Sequence, residues 1–402
     1  MKNIVVFKNN NFNKEIILDN VDWSRKQNKN FSTLHGISSY LAMFSPAMPS
    51  YFIQKYSKIN DLIMDNFSGR GTTALVAREL NRKFIGNDLN PYAYVLTRFK
   101  TSTLDKSKII NHIKKMENEF YNSKYKNFEF ENYLNNEEML IYYHENTLKQ
   151  LLFLRENYGK NWKNVSDEIN AILALSLGLM HGPVKKNKTS IYFSISMPNT
   201  ISMSPKYVKK YAFKNKLEKP NINIFEQILN RLNNKYDKIL EQKFEGKIYL
   251  YDSTKKNSYI KNNSVDLVIT SPPYLSIVNY TTSNWLKLWL LGYERKFLKE
   301  EIKLSDKLEM NKYIVFIKEY LNAIYPKLKN KAKICLVVGD VFETKLIEKV
   351  WESISNDVSY KFVEIYYDYK YSQTHKTTNM LNLKSGKATK IDKVLVIEKY
   401  EN

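Results

Sequence analysis

The residues best suited to chemistry in this chain of 402 residues are Ser271, Pro272, Pro273 and Tyr274, which follow an apolar run at 265–270. A proline fixes its own backbone angle and has no N–H, so two in succession leave carbonyl oxygens with no donor beside them. Placed after a strand, where open α/β sheets bind ligands, such a turn is a cradle of hydrogen-bond acceptors. Ser271 Oγ and the Pro272 carbonyl suit the two hydrogens of an amino group, and the Tyr274 ring offers a face to a nucleobase turned out of its duplex. An amino nitrogen conjugated to a ring is a weak nucleophile. Accepting its hydrogens favours a more tetrahedral, reactive nitrogen, and no covalent protein nucleophile is required.

A second group lies upstream, in Asp65, Asn66, Phe67, Ser68, Gly69, Arg70, Gly71, Thr72 and Thr73. It falls between a short apolar strand at 61–65 and a helix-like stretch at 72–80. A glycine turn at that junction lets a ligand approach the backbone closely, as a nucleoside cofactor must. Asp88 closes the next strand, 84–88, where a carboxylate can accept from two ribose hydroxyls. The full GxGxxG pattern is missing, since Ala74 stands at the third glycine. On this segment alone a nicotinamide oxidoreductase remains open.

These turns need a scaffold, and the strand-like runs supply one: 61–65, 84–88, 247–251, 265–270, 333–338, 362–367 and 393–397, with helical candidates between several of them. Asn90 and Pro91 are start signals for one such helix. Alternating strands and helices predict an α/β, mostly parallel, doubly wound Rossmann-like sheet. Between 101 and 245 the pattern changes to amphipathic helical stretches, such as 105–121 and 165–180, and then to a basic, loop-like segment. Residues 185–219 mix Lys, Tyr, Phe, Ser and Pro in a manner suited to a binding surface. The expected organisation is a first half at 1–100, a mainly helical insertion at 101–245 and a second half at 246–402.

Composition narrows the partners. The formal charge of +22 points to a polyanion, nucleic acid first. The single cysteine, Cys335, lies in the apolar run 334–338 and reads as core, which excludes internal disulfides and Cys-rich zinc sites. The five histidines have no metal-ligand spacing, and no structural metal is predicted. The N-terminus lacks a signal-peptide core, and the longest apolar segment, 169–184, is too short to span a bilayer, so a cytoplasmic protein with no membrane contact is expected.

Together, DNFSGRGTT from Asp65 and TSPPY from Thr270 resemble the amino-methyltransferase family of DNA modification enzymes, which carry a D-x-F-x-G-x-G motif and an (S/N/D)-P-P-(Y/F) motif. The resemblance covers 34–100 and 246–398. It implies an S-adenosylmethionine-dependent methyltransferase sheet, with Asp65, Phe67, Gly69, Gly71 and Thr72 contacting the cofactor, Asp88 holding its ribose and Ser271, Pro272, Pro273 and Tyr274 forming the amino-group site. Asp252 matches, less specifically, a polar position near the adenine. Residues 35–52 are similar to the helix that closes over the methionine end of the ligand. Ser at the first catalytic position looks like the cytosine-N4 branch. Double-stranded DNA is the implied partner, with a role in restriction-modification beside a separate cognate restriction endonuclease.

The alternatives are adenine-N6 methylation of DNA, amino methylation of a structured RNA, and a nucleic-acid-binding protein on an inactive methyltransferase scaffold. Cytosine-C5 chemistry is disfavoured, because it needs a Pro-Cys nucleophile and Cys335 follows Ile334. The block 101–245 has the placement of a target-recognition domain. The basic stretch 370–390 has the composition of a segment that tracks phosphates, and Arg70 reads as a solvent-facing side chain.

Overall fold

The computed structural model describes residues 4–8, 15–41, 43–130, 137–185, 189–273, 280–304, 308–340, 345–369 and 391–400. Nine described strands form one sheet: β1 (Ile4–Phe7), β2 (Glu15–Ile17), β3 (Leu62–Asp65), β4 (Lys83–Asp88), β5 (Gly246–Leu250), β6 (Val265–Thr270), β7 (Leu328–Asp340), β8 (Tyr360–Tyr369) and β9 (Ile391–Lys399). Their order is β2-β1-β8-β9-β7-β6-β3-β4-β5. The pairs β7/β6, β6/β3, β3/β4 and β4/β5 are parallel, whereas β7/β9, β9/β8, β8/β1 and β1/β2 are antiparallel. The sheet is therefore α/β and doubly wound, as the sequence predicts, but mixed rather than mostly parallel. Two short N-terminal strands extend its antiparallel edge.

Both faces are covered, and strand alternation shows how. Ile63, Leu267, Ile269, Cys335 and Val337 pack with the helices α1 (Ala47–Tyr56) and α2 (Thr72–Glu79). Their sequence neighbours Met64, Val268, Ile334, Leu336 and Val338 pack on the other face with the helices Met310–Ile324 and Leu346–Ile354. Cys335 is core, and burial pushes its thiol up, away from reactivity.

After β4, Asn90 caps α3 (Pro91–Thr101) by accepting from the Tyr92 N–H at 3.0 Å. Asp105 caps α4 (Lys106–Tyr121), whose Ile109, Ile113, Met116 and Phe120 form its buried stripe. The helices Glu145–Leu154, Asp167–Leu179 and Ile224–Lys235 join α3 and α4 around one apolar core, which continues into Trp285–Leu290 after β6. The helical layer is thus packed onto the segment that follows the proline turn. No described helix is long and apolar enough to cross a membrane.

Candidate functional site

The chain leaves β3 toward β4 and β5, then crosses back to place β6 on the other side of β3. Strand order reverses there, and in a sheet of this type the crevice at the carboxyl ends of such a strand pair is where ligands bind. Asp65 ends β3 and Thr270 ends β6. The Thr270 hydroxyl donates to Asp65 Oδ1 at 2.7 Å, and the Phe67 N–H reaches both that oxygen and Thr270 Oγ1 at 3.1 Å. The two motifs singled out in the sequence are therefore tied together at their first residues. Asp65 is 2% exposed, and burial pushes its carboxyl up to about 6.

The glycine turn is built from backbone bonds. The Gly71 N–H donates to the Ser68 carbonyl at 2.8 Å, and Gly69 and Gly71 have φ of +50° and +71°, a region that disfavours side chains. Asp88 Oδ2 accepts the Gly69 N–H and Oδ1 the Asn90 N–H, each at 2.8 Å. A carboxylate has about four acceptor sites, so each oxygen keeps capacity for a ligand hydroxyl. Burial pushes Asp88 up to about 6, while backbone hydrogen bonds from Asn90, Gly69 and Leu89 oppose the rise. Beneath the turn, Asn66, Asn87 and Ser253 form a buried amide network joining the ends of β3, β4 and β5, and the Tyr320 hydroxyl donates to Asn66 Oδ1 at 3.0 Å.

One cleft, about 870 Å³ counting its open mouth, runs from this turn to the proline turn. Phe67, Gly69, Thr72, Asp88, Asp252, Ser271 and Pro273 line it, whereas Asp65, Gly71 and Pro272 stand behind its wall. Tyr274 and residues 370–390 lie outside the described residues. The Ser271 hydroxyl donates to the Val337 carbonyl on β7 at 3.0 Å, and Ser271 lines the cleft. Asp252 Oδ1 accepts from the N–H and hydroxyl of Thr254 at 2.9 and 2.8 Å.

The segment 35–52, expected to close over the ligand, does line the cleft through Tyr40, Met43 and Phe44, but from an irregular stretch: it is not one helix, and α1 begins only at Ala47. Arg70 does not face solvent. Its Nη1 donates to the His35 carbonyl at 2.8 Å and its Nε to Thr72 Oγ1 at 3.1 Å, fastening that stretch to the turn. Phe316 on the helix Met310–Ile324 adds an apolar wall, with its ring centroid 5.8 Å from that of Phe67.

Toward the proline turn the wall is a column of rings. Tyr40 stacks on Tyr92 at 5.3 Å and on Tyr280 at 5.9 Å, and the Lys287 ammonium lies 4.8 Å from the Tyr92 ring centre. Lys287 is 1% exposed, and burial brings its ammonium down to about 7.

Comparison with known proteins agrees with this geometry. The family model described as DNA methylase, of the N6/N4 type, matches residues 6–99. The chain is 24% identical over 393 residues to the type II methyltransferase M.MjaII of Methanocaldococcus jannaschii, covering 79% of this chain and 74% of that one. It is also 24% identical over 369 residues to the type II methyltransferase M.BsoBI of Geobacillus stearothermophilus, covering 87% and 70%. A shorter match, 55% identical over 38 residues, is to the type II methyltransferase M1.MboII of Moraxella bovis and covers 10% of this chain and 15% of that one. The motifs, the crevice that joins them and these relatives together support the DNA amino-methyltransferase family, that of the N6- and N4-methylating enzymes.

Proposed function

We propose that this chain methylates the exocyclic N4 amino group of cytosine at a specific site in duplex DNA, as the modification half of a restriction-modification system. The methyl donor is S-adenosylmethionine, which supplies, when bound, a methyl group activated on a sulfonium. The residues at the glycine turn fit it: Asp88 has acceptor capacity for ribose hydroxyls, Gly69 brings backbone to the cleft surface, and Phe67 and Phe316 form an apolar wall for a purine. We assign Thr72 and Asp252, at the cleft surface, to the same ligand. Asp65 and Gly71 act from behind, fixing the strand end and the turn.

The observation that carries the reading is Ser271, whose hydroxyl hydrogen is taken by Val337 at the edge of the cleft that Asp88 also lines. We assign Ser271 Oγ to one amino hydrogen and the carbonyl of Pro272, which lies behind the lining residues, to the other. Pro273 keeps a competing N–H away, and Tyr274 stacks on the base. With the methyl group supplied from its sulfonium, the amino nitrogen would take that carbon in place of sulfur, and one amino proton would leave through these acceptors. Serine in the first catalytic position supports cytosine over adenine, and the type II naming of the relatives supports restriction-modification. The helical block 101–245 is assigned the reading of the target sequence.

The test is mass spectrometry of nucleosides after incubation with labelled S-adenosylmethionine and DNA or RNA containing all four bases. Labelled N4-methylcytosine in duplex DNA is expected. Labelled N6-methyladenine, or label in RNA alone, would overturn the assignment.

A further inference from the structure

The segment 185–219 was expected to be loop-like, but its second half contains the helix Pro205–Asn215, capped by Ser204, whose Oγ accepts the Tyr207 N–H at 3.4 Å. The signals for that helix are local: serine followed by proline at the first helical position. Of its eleven residues only Pro205 and Val208 are buried. Lys206, Lys209, Lys210, Lys214 and the capping residue Lys216 are exposed, and no acidic residue occurs from Pro205 to Leu217. Tyr207 and Tyr211, one turn apart, stack at 5.8 Å with rings nearly parallel, at 49% and 44% exposure, and Phe213 is 90% exposed. Apolar rings held in water among unopposed lysines are costly unless a partner covers them.

The helix is also rooted at the cleft. The Ser202 N–H donates to the Ser283 carbonyl at 2.7 Å, and the Met203 carbonyl accepts from Trp285 Nε1 at 3.2 Å and from the Tyr142 hydroxyl at 2.9 Å. Ser283 lies one turn after Tyr280, whose ring forms part of the cleft wall. A short strut thus connects the exposed helix to the wall beside the proline turn.

We propose that the helix Pro205–Asn215 is a docking surface for the sugar-phosphate backbone of duplex DNA, holding the duplex against the mouth of the cleft. This rests on DNA being the substrate, as proposed above. The lysines neutralise phosphates, and the two tyrosines supply hydroxyl donors and ring faces at the groove edge. Phosphate contacts carry no sequence information, so the helix sets position rather than site choice.

The test uses the full chain and a labelled random-sequence DNA duplex, with binding followed by fluorescence anisotropy over a range of salt. The combined variant Lys206→Gln, Lys209→Gln, Lys210→Gln, Lys214→Gln is expected to bind about 30- to 100-fold more weakly, and to lower the slope of log affinity on log salt by about 3. The pair Tyr207→Ala, Tyr211→Ala is expected to lose about 10-fold without changing that slope. Unchanged S-adenosylmethionine affinity and melting temperature verify that the variants are folded. A folded lysine variant with wild-type affinity and slope overturns the docking surface alone. A wild-type chain that binds S-adenosylmethionine but no duplex, or that prefers anionic lipid vesicles, overturns it through the function on which it rests.

Discussion

The two ends of the cleft bury opposite charges. At the glycine turn, Asp65 and Asp88 are carboxylates pushed up to about 6 by burial. Behind the ring column near the proline turn, Lys287 is an ammonium brought down to about 7 by burial. The first end suits a sulfonium cofactor of net positive charge, whose arrival favours the ionised carboxylates. The second keeps its cation behind the rings, away from the cleft surface, where burial is the cause of its lowered value.

The largest effects should come from separating the ends. Asp88→Ala removes the acceptor of the Gly69 and Asn90 N–H groups and the one proposed for the ribose, and is expected to weaken S-adenosylmethionine binding at least about 100-fold by calorimetry. Ser271→Ala is expected to lower methyl transfer about 100-fold while cofactor affinity stays within a few-fold. Equal losses in both measurements for both variants would show that the ends are not separable.

Next in size is the turn itself. A Cβ on Gly71 would lie 2.9 Å from Thr97 Oγ1 and 3.0 Å from its Cα, at a φ of +71°. Gly71→Ala is therefore expected to destabilise the fold by about 2–4 kcal/mol in urea unfolding. At Gly69 the nearest atom is 3.5 Å away, so Gly69→Ala should cost only its backbone strain, about 1 kcal/mol.

This contrast marks what could be read in the sequence. The glycine turn, Asp88 and the proline turn are local patterns, so residue type and spacing disclosed them, and alternating apolar residues disclosed the central strands. Phe316 comes to the cleft, and Lys287 to the back of its ring column, from distant elements through packing that no local period encodes. Ile4–Phe7 and Glu15–Ile17 are too short to show alternation against a polar background, and β7 starts early, at Leu328 opposite Val265, ahead of a register shift that precedes the pairing of Lys333 with Leu267. The Ser204-Pro205 start signal was legible, but the lysines after it resembled a solvated loop.

Proton linkage probes the same contrast. Asp65 and Asp88 have folded values above the ordinary 3.8, so their contribution to stability is fully present below about pH 4 and is lost as pH rises through about 6. Asp65→Asn should remove part of that decline, by about 1–3 kcal/mol, in unfolding measured from pH 4 to 7. In the wild type, S-adenosylmethionine affinity should fall below about pH 6, as Asp88 takes a proton and loses acceptor capacity.

Lys287 gives the opposite sign and the smallest expected effect on catalysis. Its folded value of about 7 lies below the ordinary 10.5, so between those values the unfolded chain binds the extra proton and stability rises with pH. Lys287→Met keeps the volume and removes the charge. The variant should be the more stable at pH 7, and the two stability curves should converge as pH approaches 10. Because Lys287 touches the ring column from behind, through Tyr92, methyl transfer should change only a few-fold. Parallel stability curves would mean that the ammonium is solvated in the folded state, and the two ends of the cleft would then not be matched opposites.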